Sequence, residues 1–407
     1  MTISNLSILH LSRIFVRNSL GLVWCLVIYS NVHAQQWTLE TIDGRTIRVD
    51  RIELDATGQV KSSNISGQLH LSDLYRVDSG RAVQASAGSV EIMLAGGGRL
   101  HAASVWLDGE QLAFDGSELT GPLPVESVNG LVWQPHDRIS RALAQPLGDS
   151  DQLIVAADEA PVVVVGVVQS LTSTGVVIQY QNRELEFPLD RLMGIVWADI
   201  SRAATGSHRA TVRTMGGNQV GGYVTAWSGE NLTIQTTAGY ELSIPVERIS
   251  SIDFQSDRLA FLSDWQPTNV EQKSWFAPPR DWRRNLNVAG EPITLFDPST
   301  GKRLVFARGI GVQAYTRLVY SNDSMFDRLL ATVGIDASTM GRGDCEMSVV
   351  GDGVRLWEAR VRGNDPPLPI DVDIRGVRQL ELVVEPGQQF DLSDHANWAD
   401  IRLLKSR

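Results

Sequence analysis

Residues 308–314 read Arg-Gly-Ile-Gly-Val-Gln-Ala, a short apolar strand interrupted by glycines. Three further blocks follow it in order: Val333-Gly334-Ile335-Asp336, Val350-Gly351-Asp352-Gly353, and a segment at 394–400 that reads Asp-His-Ala-Asn-Trp-Ala-Asp. Between these blocks, short apolar runs alternate with glycine-containing or polar turns, which is typical of antiparallel β-strands. The last third of the chain is therefore predicted to form a two-sheet jelly-roll β-sandwich.

The order of these four blocks resembles the NPCBM domain, a family of carbohydrate-binding modules found beside family-98 glycoside hydrolases. The resemblance covers about residues 259–405 and implies a galactose-binding-like jelly roll, in which loops at one end hold a sugar. Two positions depart from the family's common pattern. Gln313 stands where the family commonly has His, and Asn397 stands where it commonly has Asp. If these positions shape the ligand loop or a metal site, this chain has an altered specificity or none.

Sugar recognition requires an aromatic face against the C–H side of the ring, together with polar groups that fix the hydroxyls. We expect the carbohydrate site among the side chains of these types in the region that resembles the family. They are Trp282, Tyr315, Trp357, His395 and Asn397. Trp398 is expected in the core instead, because it lies in the middle of the closing strand.

Four aspartates in the same blocks are candidate oxygen ligands for a structural Ca²⁺, a hard cation that prefers carboxylates. They are Asp336, Asp352, Asp394 and Asp400. Turn capping is the alternative role for each of them, because Asp accepts hydrogen bonds from nearby backbone amides. The sequence indicates no other cofactor.

The first 34 residues have the pattern of a signal peptide. Residues 1–17 lack acidic side chains and include Arg13 and Arg17, and an apolar run then leads to Val32-His33-Ala34. That run is too short to span a bilayer, and a retained N-terminal anchor is the alternative. We expect a secreted or periplasmic protein with no transmembrane segment after cleavage.

The chain is acidic, with 36 basic and 47 acidic residues and a formal net charge of −11. Nucleic acid is therefore not an expected partner, because phosphates are bound by clustered Lys and Arg. Signal cleavage would leave Cys345 as the single cysteine of the 2 in the chain. No intrachain disulfide is then available, and a chain of this size buries enough apolar surface without one.

The middle of the chain repeats a block that predicts a tight turn followed by a strand. Copies begin at Pro124, Pro188 and Pro245, with a weaker copy at His70. Alternating strands precede each copy, so residues 35–256 are predicted to hold four small antiparallel β units of about five strands each, in barrels of the SH3-like or Sm-like type. The units lie near 37–79, 89–135, 160–199 and 208–256.

No catalytic motif is visible. The seven histidines have no metal-ligand spacing, and nucleophile-elbow, P-loop and dinucleotide patterns are absent. The chain is therefore predicted to be a non-catalytic, all-β protein that binds an oligo- or polysaccharide through residues 257–407, with the repeats as spacer or docking surface. One alternative is a structural or protein-interaction protein of the cell envelope, in which the jelly roll mediates assembly with other envelope proteins. An enzyme of another type is the third hypothesis.

Overall fold

The computed structural model describes residues 36–406, except 63, 66, 85–87, 96, 120, 145–147, 199–205, 276–277 and 389. The predicted signal peptide at 1–34 therefore lies outside the described residues. Antiparallel β-strands dominate the rest of the chain, which confirms the all-β class. Within the described ranges, no helix has the length and apolar character needed to cross a membrane.

Residues 37–254 form four successive strand groups, which we call repeats 1 to 4. Repeat 1 contains β1 (Trp37–Thr41), β2 (Thr46–Val49), β3 (Glu53–Leu54), β4 (Val60–Lys61) and β5 (Leu74–Asp78). Repeat 2 contains β6 (Val90–Leu94), β7 (Gly98–Ala102), β8 (Ser104–Asp108), β9 (Gln111–Asp115), β10 (Leu123–Pro124) and β11 (Val128–Val132). Repeat 3 contains β12 (Asp151–Val155), β13 (Val162–Leu171), β14 (Gly175–Tyr180), β15 (Arg183–Pro188) and β16 (Leu192–Val196). Repeat 4 contains β17 (Arg209–Thr214), β18 (Gln219–Trp227), β19 (Asn231–Thr236), β20 (Glu241–Pro245) and β21 (Ile249–Phe254).

A one-turn 3₁₀ helix precedes the closing strand of every repeat. These helices are Leu71–Asp73, Val125–Ser127, Leu189–Arg191 and Val246–Arg248. Three of them directly follow a proline, whose fixed φ suits the entry to a short turn. Each closing strand then pairs antiparallel with the first strand of its own repeat. The turn and closing strand expected from the repeated block are thus confirmed.

The repeats share one continuous sheet. Its strand order is β15-β14-β13-β12-β16-β11-β6-β7-β18-β17-β21-β5-β1-β2, with β19 beside β18 and β20 beside β19. The repeats therefore follow the order 3-2-4-1 along the sheet, which differs from their order in sequence. In the described part of each repeat, no ladder joins the strand before the 3₁₀ helix to the closing strand.

Repeat 3 begins at Asp151, earlier than the start near 160 expected from the sequence. The segment before it contains α1 (Asp137–Ala144), which lies on the outer face of the shared sheet. Ile139 of α1 packs there with Ile154 and Val196 in a small core of its own. The main core lies on the other face of the sheet. It includes the aromatic residues that were expected to be structural, since Trp197 and Phe254 are buried there and Trp133 is half-buried against this core.

Residues 259–404 form the predicted two-sheet sandwich. The strands are β22 (Leu259–Phe261), β23 (Asn269–Gln272), β24 (Arg283–Arg284), β25 (Ile293–Asp297), β26 (Lys302–Phe306), β27 (Gly309–Gln313), β28 (Thr316–Ser321), β29 (Arg328–Ile335), β30 (Asp344–Gly351), β31 (Val354–Arg362), β32 (Leu368–Asp373), β33 (Gln379–Pro386) and β34 (His395–Leu404). One sheet has the order β24-β27-β34-β29-β32 with β22 beside β34, and the other has the order β23-β28-β33-β30-β31. Two more 3₁₀ helices lie at Leu262–Asp264 and Ala337–Thr339. Trp398 is fully buried between the sheets, as expected.

The sandwich packs directly on repeat 1 within the compact unit Gln36–Arg407. Arg402 of β34 is buried, and its Nη1 donates to the carbonyl oxygens of Thr41 at 3.0 Å and Ile42 at 3.3 Å. The guanidinium also lies 5.3 Å from the ring centre of Tyr75 and 5.5 Å from that of Phe261. One arginine therefore links the two parts of the chain by hydrogen bonds and aromatic contacts together.

Candidate functional site

Two exposed aromatic side chains lie together in end loops of the sandwich. Trp275, in the loop after β23, is 53% exposed, and Phe390, in the loop before β34, is 54% exposed. Their ring centroids are 6.4 Å apart and the rings are inclined by 47°. Burying a large apolar side chain contributes about 1.5–3 kcal/mol, so a folded chain that leaves two of them exposed together offers a binding surface.

A buried carboxylate fixes the position of this aromatic pair. Asp391 is 3% exposed, and its Oδ2 accepts a hydrogen bond from the backbone N–H of Trp275 at 3.2 Å. The same oxygen accepts from the Ser274 hydroxyl and, at 3.4 Å, from the side-chain amide of Gln313. The loop that carries Trp275 is thus tied to the loop that carries Phe390.

Two buried acceptor atoms at this place have no hydrogen-bond partner among the residues that the structure describes. They are Oδ1 of Asp391 and Oε1 of Gln313. An unsatisfied buried acceptor costs about 1–3 kcal/mol.

His395 lies directly opposite Gln313 in the ladder between β27 and β34. It is half-buried, and burial, followed by the charge of Arg280, lowers its pKa. The imidazole is therefore neutral at pH 7 and offers one hydrogen-bond donor and one acceptor. We call Trp275, Gln313, Phe390, Asp391 and His395 the end cluster.

Tyr315 lies next to Lys273, at the start of the loop that carries Trp275. Its backbone exchanges hydrogen bonds of 3.0 and 3.1 Å with Lys273, whose Nζ is 5.2 Å from the ring centre. Burial, followed by the charge of Glu271, raises the pKa of the Tyr315 hydroxyl. The structure thus brings two of the five expected sugar-binding residues, Tyr315 and His395, to this end of the sandwich.

The other three expected residues lie outside the end cluster and pack into the sandwich. Trp282 is half-buried and packs against the sandwich core. Trp357 is also half-buried, and its ring centroid is 6.2 Å from that of Trp398 at 69°, so it closes the side of the sandwich. Asn397 is fully buried, and its Nδ2 donates to Oδ2 of Asp336 at 2.7 Å. Asn397 thus lies inside the sandwich, whereas Trp282 and Trp357 keep part of their surface exposed, and sugar contact by these three side chains stays a prediction.

Asp336 is buried at the centre of a hydrogen-bond network. Besides Asn397, the carboxylate accepts from the side chain of Asn287 at 3.1 Å and from the backbone N–H groups of Thr294 at 3.3 Å and Ser338 at 3.0 Å. The last of these bonds caps the 3₁₀ helix Ala337–Thr339. Turn capping, the alternative stated for this aspartate, is what the structure shows.

The other three candidate Ca²⁺ ligands have partners in different places. Asp352 accepts from the backbone N–H of Gln379 at 2.9 Å, and Asp394 accepts from that of Asp344 at 2.7 Å. Asp400 forms an ion pair with Arg402. In the described ranges, no three His, Cys, Asp or Glu side chains converge in a way that would hold a metal ion, so the four aspartates are not brought together.

Three members of the end cluster are hard to predict from the sequence. Trp275, Phe390 and Asp391 lie in irregular loops, where no alternation of strand residues marks which side chains are exposed. The signal for them in the sequence is an aromatic residue next to a polar one between two predicted strands. Gln313 stands out in the sequence only as a departure from the family pattern.

Among solved structures, those similar to this chain include CBM51-2 with the INT domains of Clostridium perfringens ZmpB in complex with GlcNAc, at 24% identity and a TM-score of 0.34, covering 43% of this chain and 36% of that one. Another is CBM51 from Clostridium perfringens GH95 in complex with methyl-galactose, at 23% identity and a TM-score of 0.33, covering 36% of this chain and 99% of that one. A third is the tandem CBM51 modules of Sp3GH98 from Streptococcus pneumoniae, at 12% identity and a TM-score of 0.33, covering 91% and 88%.

The chain spans only 36% of the length of the first of these structures. No curated protein matches the chain. The resemblance seen in the four sequence blocks is confirmed for the C-terminal third: residues 258–404 match the family model of the NPCBM/NEW2 domain.

Proposed function

We propose that the sandwich binds a carbohydrate through the end cluster. The observation that carries this proposal is the exposed pair Trp275 and Phe390, whose loops are tied together by the buried carboxylate of Asp391. The match of residues 258–404 to a family of carbohydrate-binding modules supports it.

The chemistry of the cluster suits a pyranose ring. The apolar C–H face of such a ring stacks on an aromatic side chain, and its hydroxyls both donate and accept hydrogen bonds. Trp275 and Phe390 supply the aromatic faces, and the neutral His395 supplies a donor and an acceptor. A hexopyranoside at the end of an oligo- or polysaccharide is therefore the proposed ligand.

The proposed role is non-catalytic recognition of a glycan outside the cytoplasm. The signal-peptide pattern at 1–34 supports export, and the repeats would act as a spacer or docking surface. If the sandwich has no sugar ligand, the alternative is assembly of the cell envelope through the same two regions.

The test is binding of residues 36–407 to a glycan array, followed by calorimetry with GlcNAc and methyl-galactoside as first probes. Repeat 1 is retained because Arg402 of the sandwich donates to its backbone. We expect Trp275→Ala to weaken binding about 5-fold, since an aromatic contact of this kind is worth about 1 kcal/mol. Phe296→Ala is the matched control, because Phe296 is 37% exposed on β25 and outside the end cluster.

Two outcomes would contradict the proposal. One is a Trp275→Ala variant that binds the selected glycan as well as the unsubstituted protein does. The other is no binding to any glycan by a protein whose circular dichroism shows that it is folded, which would favour the assembly role. The same titration with EDTA and with added Ca²⁺ tests the candidate Ca²⁺ dependence.

A further inference from the structure

Equivalent strands join the repeats to one another. In the contact between repeats 3 and 2, Leu131 lies opposite Ile195, and each is the seventh residue after the proline of its block. Repeats 4 and 1 are joined by Ile252 opposite Val77, which hold the same place in their blocks. Antiparallel pairing of equivalent residues places a local two-fold axis between the repeats.

The contact between repeats 2 and 4 follows the same rule but uses the second strands. Here Arg99 of β7 lies opposite Gln219 of β18. These two residues are also equivalent. Within its own repeat, each pairs with the second-to-last residue of the first strand, so that Arg99 pairs with Met93 and Gln219 pairs with Arg213. Contacts along the sheet therefore alternate between closing strands and second strands.

This alternation predicts which strand of the outermost repeats, 3 and 1, would join a further repeat. The next contact would use a second strand, at the residue equivalent to Arg99. In repeat 3 that residue is Val163, which pairs with Ile154, and in repeat 1 it is Thr46, which pairs with Glu40. The outermost repeats of the row, 3 and 1, thus each have a second strand in the position that repeats 2 and 4 use to join.

Among the described strands, none forms a ladder with residues 162–166 along the second edge of β13. Residues 162–166 pair with β12 along one edge, whereas β14 pairs with β13 only from Val167 onward. The side chains there are apolar: Val162, Val163 and Val165 are 49%, 37% and 49% exposed. Free edges with exposed apolar side chains are normally avoided in monomers, because they pair with other chains.

The corresponding edge in repeat 1 is different. Its residues Thr46 and Arg48 are exposed and polar. The hairpin that leads into β2 also carries the carbonyls of Thr41 and Ile42 that accept from Arg402, so the sandwich lies next to it. Repeat 3 therefore offers the open apolar edge, and repeat 1 does not.

We propose that β13 pairs with β13 of a second copy of this chain, antiparallel, with Val163 of one copy opposite Val163 of the other. The pairing repeats between two chains the contact that β7 and β18 make within one chain. It covers the exposed valines of both copies and joins the two shared sheets into one. This inference does not depend on carbohydrate binding.

The test is the molar mass of residues 36–407 by size-exclusion chromatography with light scattering over a concentration series. We expect a dimer for the unsubstituted protein and a monomer for both Val163→Lys and Val163→Glu, because like charges opposite each other destabilise a strand pair. An equimolar mixture of these two variants should form the dimer again, since lysine then faces glutamate. Val305→Lys is the matched control, because Val305 is 68% exposed on β26, and it should stay dimeric.

Three results would overturn the proposal. A monomeric unsubstituted protein at every concentration would exclude self-pairing and leave the edge to another partner. A dimeric Val163→Lys variant would place the dimer contact elsewhere. Two monomeric variants that fail to associate on mixing, although both are folded by circular dichroism, would show that the two copies of Val163 do not face each other.

Discussion

The side-chain amide of Asn397 donates a 2.7 Å hydrogen bond to the carboxylate of Asp336 inside the sandwich, where both side chains are buried. All the described partners of this carboxylate are amide donors, from Asn287, Thr294, Ser338 and Asn397. The position of Asn397 is one where the NPCBM family commonly has Asp. In this chain the neutral amide thus stands where a second carboxylate would face the first.

Replacing Asn397 with Asp should therefore destabilise the protein. At pH 7 the two buried carboxylates would repel each other, and we expect the free energy of unfolding in urea to fall by about 3 kcal/mol. The loss should shrink at about pH 4, because the carboxylate pair then shares a proton. Asn231→Asp, at an exposed position on β19, is the control, with an expected change within about 0.5 kcal/mol. Equal stability of Asn397→Asp and the unsubstituted protein at pH 7 would refute this account.

Arg402 is predicted to hold the sandwich against repeat 1. Arg402→Met removes the donors to the carbonyl oxygens of Thr41 and Ile42, and we expect a loss of about 2–3 kcal/mol in the free energy of unfolding. Cleavage by a protease between residues 254 and 259 should become faster, since the two parts would separate more often. Arg375→Met, which breaks an exposed ion pair with Asp373, should change the stability far less, because solvent screens that pair. If both variants behave alike, the contact made by Arg402 does not stabilise the junction.

Asp394 should make stability depend on pH. Burial, above all, raises the pKa of its carboxyl from 3.8 to about 6 in the folded protein. The folded state then binds the proton more tightly than the unfolded chain does, so this carboxyl contributes stability at about pH 4 that is lost as the pH rises through about 6. Asp394→Asn should remove this loss, so the variant gains stability relative to the unsubstituted protein between about pH 4 and pH 7 in urea unfolding.

Asp352 provides a control of opposite sign for that measurement. Hydrogen bonds from the backbone of Gln379 and Arg378 lower the pKa of Asp352. Its contribution is present at neutral pH and is lost as the pH falls. Asp352→Asn should therefore lose stability relative to the unsubstituted protein as the pH rises. Parallel pH profiles for Asp394→Asn and the unsubstituted protein would disprove the role assigned to Asp394.

Gly130 allows the closing strands of repeats 2 and 3 to approach each other. A Cβ at this position would lie 2.3 Å from the carbonyl oxygen of Ile195, a backbone atom that cannot move aside cheaply. We expect Gly130→Ala to reduce the free energy of unfolding by about 1–3 kcal/mol, because the added methyl group strains the strand pair. Gly148→Ala is the matched control, since a Cβ there meets no atom within 4 Å. An equal effect of the two substitutions would mean that the junction adjusts without cost.

The all-β class, the sandwich and the closing strands could be predicted because their signals are local. Alternation of apolar residues along β27 and β34, and a proline before each of three 3₁₀ helices, are written in a few consecutive residues. Burial of Trp398 follows from its place in such a strand. The burial of Asn397 could not be predicted in this way, because the network around Asp336 is built by residues distant in sequence.

The sequence by itself determined which segments become strands and where four of them close a repeat, because turn residues and alternation act over a few neighbouring positions. Only the tertiary structure decided that the repeats follow the order 3-2-4-1, since that order depends on which strand edges are free to pair. It also decided that Trp275 and Phe390 lie together, because a hydrogen bond from one loop to Asp391 in the other holds them there. Contacts between distant segments set the candidate site, and no local pattern encodes them.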